Sequence, residues 1–197
     1  MSFDTMLMNA IHGLSGWSGI LDAAGIFLAQ YVPYLLAIPF ILFLLKGKTA
    51  KARMRTFLFW ALVALLSRGI FTETIRFFFP RLRPFETFGF TPLISESGSS
   101  FPSGHAALLF ALSCAVFAVN RKWGWWLIGL SFLNGLARVF VGVHYPFDVV
   151  GGFLVAFVSY LIVARVLHIT PSSEKKQNVS PAEENYDTNE SEEVRGL

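Results

Sequence analysis

Five long apolar runs, at about 25–45, 57–79, 103–119, 123–143 and 147–167, constrain this chain more than any other feature. Each approaches the ~20 residues with which a helix crosses the hydrocarbon layer. Of the 197 residues, 54% are hydrophobic and 15% charged, a balance that leaves a soluble domain of this size short of polar surface. Within lipid, backbone polar groups must be satisfied inside each segment, so runs of this length imply helices. The expected fold class is therefore all-α: a polytopic membrane helical bundle of about five transmembrane helices.

Phe3, Leu7, Ala10, Ile11, Leu14, Trp17 and Leu21 recur at helical spacing, with no basic stretch or small-residue cleavage site before them. The spacing predicts an N-terminal amphipathic helix lying in the membrane interface. Residues 1–170 carry 13 Lys and Arg against 6 Asp and Glu, whereas residues 171–197 carry 3 against 7. The second segment has almost no large apolar side chains to offset its ordering entropy. Residues 1–170 thus form the predicted membrane domain, and 171–197 a disordered acidic tail. Lys46, Lys48, Lys51, Arg53 and Arg55 crowd the first connection, and Arg121 with Lys122 fills the third. By the positive-inside rule both connections are cytoplasmic. Five spans then place the N-terminus and the 80–102 loop outside and the tail inside, in the plasma membrane. Trp123, Trp125 and Trp126 read as an interfacial aromatic belt, and no nucleic-acid partner is indicated.

Three polar segments fall on the outer side. Arg76, Arg81 and Arg83 cluster at the end of the second run, where they read either as anion ligands or as arginines snorkelling at a boundary. Pro102, Ser103, Gly104 and His105 lead into the third run. A helix start there exposes N–H groups suited to phosphate, although Ser103 equally suits an N-cap. Arg138, His144 and Asp148 surround the turn into the last run; Asp148 can stabilise the helix start or hold the tautomer of a nucleophilic histidine. Phosphoryl transfer needs this set of parts: cations for the equatorial oxygens, an in-line nucleophile and an acid for the leaving oxygen. Arg68 and Glu73 lie within the second run and read either as functional charges or as an internal ion pair. We leave them outside the predicted site. Glu86 and Glu96 in the outer loop read either as contacts to a head group or, the commoner case, as solvated loop acids.

In order and spacing these segments resemble the three motifs of the type-2 phosphatidic acid phosphatase (PAP2) superfamily, written KxxxxxxRP, PSGH and SRxxxxxHxxxD. Arg76 stands where the first motif has lysine, and Ala137 where the third has serine. The resemblance implies that His144 attacks phosphorus, that Asp148 orients it and that His105 protonates the leaving oxygen. It implies too that Arg76, Arg83 and Arg138, with Ser103 and Gly104 and their amides, hold the phosphate oxygens. No metal or other cofactor is expected, because guanidinium groups supply the charge. The compact chain is similar to bacterial undecaprenyl pyrophosphate phosphatases of the bacitracin-resistance type. This implies a lipid phosphate substrate, undecaprenyl pyrophosphate first and phosphatidylglycerophosphate or phosphatidic acid second. A vanadate-type haloperoxidase and a non-enzymatic lipid carrier or transporter are the competing classes.

Overall fold

In a computed structural model, residues 2–45 and 49–168 are described, and all their regular structure is helical. The predicted acidic tail lies outside these residues, as do Lys46 and Lys48. The helices are α1 (Phe3–His12), α2 (Gly19–Gln30), α3 (Val32–Leu45), α4 (Ala50–Ala64), α5 (Thr72–Phe78), α6 (Pro84–Phe88), α7 (Gly104–Val119), α8 (Arg121–Phe140) and α9 (Pro146–Val166). A π-helical stretch, Leu65–Phe71, joins α4 to α5 without interruption. Ala50–Phe78 and Pro146–Val166 are each long and apolar enough to cross a membrane; α7, with 16 residues, is shorter.

The axis of the bundle is α7, buried along most of its length and flanked by α4, α8 and α9. Its Ala106, Ala107, Ala111, Ala115 and Ala118 are small enough to admit close neighbours, the usual means of helix association in lipid. On α9, Gly152 shows how close: a Cβ there would lie 2.7 Å from both the Ala106 side chain and the Ser103 carbonyl. Ser113 of α7 and Ser131 of α8 share a hydrogen bond of 3.0 Å, one hydroxyl donating to the other while the second donates back to a carbonyl of its own helix. Outward, Leu58, Leu62, Phe132, Leu154, Phe157, Leu161 and Ile162 are exposed, giving the bundle an apolar girdle. This is a membrane protein.

Two sequence expectations change in detail. The first apolar run does not form one straight helix: α2 and α3 meet at an angle of 44° near Tyr31. The break leaves carbonyls at the end of α2 that need donors, and α8 supplies them, Asn134 Nδ2 donating to Leu28 O at 2.7 Å and to Ala29 O at 3.1 Å. The amphipathic periodicity of the first twenty residues likewise divides. Only Phe3–His12 forms α1, with Met8 and Asp4 turned inward and Phe3 and Met6 outward. Trp17 lies in the turn that follows and is exposed.

Candidate phosphate-handling site

The C-terminal end of α5, the N-terminal ends of α7 and α9 and the C-terminal end of α8 gather at one end of the bundle, closed over by the 79–103 loop. Arg121 and Lys122 start α8 and therefore lie at its opposite end.

At the centre is Asp148, with no solvent exposure. Pro146 opens α9 and Asp148 sits at its third position, where its carboxylate accepts the Tyr145 N–H at 2.8 Å in a capping box. The same carboxylate accepts from Arg81 Nη1 at 2.7 Å and from the Ser100 hydroxyl, and lies 3.4 Å from His144 Nδ1. Asp148 thus caps α9 and also stands beside the His144 ring. With Nδ1–H directed at the carboxylate, His144 keeps Nε2 as the free lone pair. Burial pushes the His144 imidazole down to about 4 against the opposing pull of Asp148, so the ring is neutral and nucleophilic at pH 7.

The arginines divide into two kinds. Arg83 and Arg138 are almost fully buried. Arg83 donates to Gly98 O (3.0 Å), Val143 O (3.0 Å) and Ser97 O (2.9 Å), so it fastens the outer loop to the turn carrying His144. Arg138 pairs with Glu96, and its Nε has no hydrogen-bond partner among the described residues. A buried donor left unmet costs about 1–3 kcal/mol, and an anion oxygen would satisfy it. Arg76 donates to Pro102 O at 3.3 and 3.1 Å and lies 3.5 Å from Glu73. His105, in the first turn of α7, lies within electrostatic reach of Arg138, Glu96 and His144.

Ser103 caps α7, one of its two sequence readings, its side chain accepting from Ala106 N at 3.5 Å. Its own N–H donates to Asp148 O at 2.9 Å. The expectation that both the Ser103 and Gly104 amides are available to phosphate is therefore corrected for Ser103, whose N–H is engaged within the fold. Every other predicted site residue lies at this end of the bundle.

Three residues were not in the predicted site. Glu96, read as a solvated loop acid, bridges Arg138 and Arg83. Burial opposes its ionised form, yet Arg138 and then Arg83 hold its carboxyl below the usual carboxylate range. Arg81 lies 3.8 Å over the Tyr145 ring and spans two carboxylates, Asp148 and Asp4, each at 2.7 Å. Asp4 also accepts the Phe147 N–H at 2.9 Å, so α1 is fastened to the start of α9. Arg81 was visible as a member of a basic cluster, whereas Asp4 stands in an interfacial pattern where nothing signals a partner in the last helix.

A buried histidine backed by a buried carboxylate, with arginines gathered beside it at one end of an apolar helical bundle, defines the class: an integral membrane protein with a buried polar cluster at one end. Residues 57–170 match the model of the PAP2 superfamily, and the chain belongs to that superfamily. It is 32% identical to the undecaprenyl-diphosphatase BcrC of Bacillus subtilis, over 77% of this chain and 78% of that one. It is also 32% identical to the bacitracin transport permease protein BcrC of Bacillus licheniformis, over 83% of this chain and 81% of that one. The crystal structure of LpxE from Aquifex aeolicus shares the fold, with a TM-score of 0.69 over 84% of this chain and 96% of that one, at 23% identity.

Proposed function

We propose that the protein is a lipid phosphatase that hydrolyses undecaprenyl pyrophosphate to undecaprenyl phosphate and inorganic phosphate. The observation that carries this reading is His144 held neutral against Asp148 beside the unpartnered Nε of Arg138. The choice of lipid is supported by the resemblance to the B. subtilis undecaprenyl-diphosphatase across more than three quarters of both chains.

The terminal phosphate is held by Arg76, Arg83, Arg138, the Ser103 hydroxyl and the Gly104 N–H. These charges stabilise the equatorial oxygens as the bond to the bridging oxygen lengthens. His144 Nε2 bonds to phosphorus while the bridging P–O bond breaks, and His105 gives its proton to the leaving lipid phosphate. Asp148 stabilises the positive ring that results. His105, now a base, takes a proton from water, whose oxygen displaces His144 and releases inorganic phosphate. The reading places five spans in the plasma membrane, with the α2–α3 pair as one broken span, the site on the outer face and the tail inside. Support comes from the gathering of the site at one bundle end and the basic residues of α8 at the other.

Purified protein supplied with undecaprenyl pyrophosphate, phosphatidylglycerophosphate and phosphatidic acid, without added Mg²⁺, tests the reading. The expected result is phosphate release fastest from the first. A higher kcat/KM on either phosphomonoester would overturn the assigned substrate, and no release from any of the three would overturn the enzyme.

Glu96 supplies a second expected outcome, because an incoming phosphate shares Arg138 and Arg83 with it. Glu96→Gln removes the competing charge. Inhibition by inorganic phosphate should then tighten by about tenfold, the worth of one charge-assisted interaction. Weaker inhibition would show that Glu96 serves to aim the arginines instead.

A further inference from the structure

Arg68, set apart from the site on sequence grounds, stands on the π-helical stretch Leu65–Phe71. At 3.6 residues per turn, positions five apart point about 140° away from each other. Where hydrogen bonds run from i to i+5 they return to one face, and Thr72 Oγ donates to Ser67 O at 2.9 Å across that interval. The same geometry brings Glu73 against Arg68, and Glu73 also reaches Arg76 one helical turn on. The Arg68 side chain lies against the first residue of α7: a Cβ at Gly104 would fall 2.6 Å from its Nε and 3.1 Å from its Cζ. Two guanidinium groups joined by one carboxylate therefore run along the start of α7, Arg76 at Pro102 and Arg68 at Gly104. Arg83 and Arg138 have side chains 2% exposed, whereas those of Arg68 and Glu73 are 39% and 51% exposed and open to a ligand.

A charged residue within an apolar span is costly and by default marks a functional site; the pairing with Glu73 offsets part of that cost but leaves 39% of the Arg68 side chain exposed. The depth of Arg68 sets what it can meet. It precedes Arg76 on the same continuous helix and so lies further from the outer loop, toward the hydrocarbon. In a lipid diphosphate the transferred phosphate is the outer one, and the second phosphate lies between it and the chain. We propose that Arg68, aimed by Glu73, forms an anion subsite for this second, non-transferred phosphate and makes the enzyme selective for diphosphate lipids over phosphomonoester lipids. The inference rests on the phosphatase reading above.

The test is the ratio of kcat/KM on undecaprenyl pyrophosphate to kcat/KM on phosphatidic acid, measured for wild type, Arg68→Gln and Arg68→Lys. Loss of a charge-assisted contact to phosphate should lower the ratio about 10- to 100-fold in Arg68→Gln. Arg68→Lys keeps the charge and the pairing with Glu73 but loses the planar fork, and should lie between the two. A parallel fall on both substrates, or no fall on either, would overturn the subsite while leaving the phosphatase reading intact. A wild-type protein inert on both lipids would overturn that reading and the subsite together.

Discussion

His144→Ala is expected to lower kcat by at least about 10⁴-fold, because it removes the group that forms the covalent intermediate rather than one that assists it. The loss should be catalytic and not structural. Asp148 keeps three of its four partners, the Tyr145 N–H, Arg81 and the Ser100 hydroxyl, so its buried charge stays compensated. The variant should therefore insert normally and unfold within a few degrees of wild type in detergent. Arg83, Arg138 and Arg76 are untouched, so it should still bind inorganic phosphate. Phosphate release and thermal unfolding of the same preparation check both halves. Near-normal turnover would remove His144 from the mechanism, and loss of folding would make it a structural residue.

Arg81→Ala should produce the second largest effect, although no motif residue is altered. Asp148 and Asp4 are both buried, and Arg81 is the cation between them. Taking one partner from a buried pair leaves an uncompensated charge, at about 3–5 kcal/mol when both are fully enclosed. With a third of its side chain exposed, Arg81 is worth less, about 2 kcal/mol after allowance for solvent screening. The catalytic consequence follows from position. Asp148 then keeps the Tyr145 N–H and the Ser100 hydroxyl on the oxygen that faces His144 but loses the cation on its other oxygen, so kcat should fall about 10- to 100-fold with KM little changed, the pattern of a contact that matters mainly in the transition state. Free guanidinium ion should restore part of that loss, which a merely structural role would not allow. Asp4→Asn should repeat the effect more weakly, because Arg81 keeps Asp148 while α1 loses its ion pair to Arg81. A change in KM alone, with kcat intact, would sink the positioning role.

The bundle was legible because its strongest signal is long-range and simple: five apolar runs, each of which folds as helix. Their internal breaks were not legible. The bend at Tyr31 is stabilised by Asn134, a residue far along the chain whose amide finds two carbonyls only after α2 and α8 pack. The π-helical stretch leaves no mark in hydropathy, yet it turns Arg68 toward Glu73 and Gly104. In the candidate site, spacing singled out His105, His144, Asp148, Arg76, Arg83 and Arg138, and the fold gathers all six at one end of the bundle. What spacing could not convey is how the polar groups share partners. Glu96 reads as a solvated acid until the loop folds back onto Arg138, and Asp4 reads as the polar face of an interfacial helix until Arg81 meets it. Ser103 shows the reverse: its N–H was assigned to a ligand, and the packing of α9 on α7 takes it for Asp148 O.

The central claim is that His144 carries the phosphoryl group between lipid and water. Rapid quenching of the purified protein into alkali during turnover of undecaprenyl pyrophosphate, followed by peptide mass spectrometry, tests it directly, because phosphohistidine survives base. One phosphoryl group is expected on the peptide containing His144, and none in His144→Ala. A phosphoryl group on His105, or steady turnover with no labelled histidine at all, would contradict it.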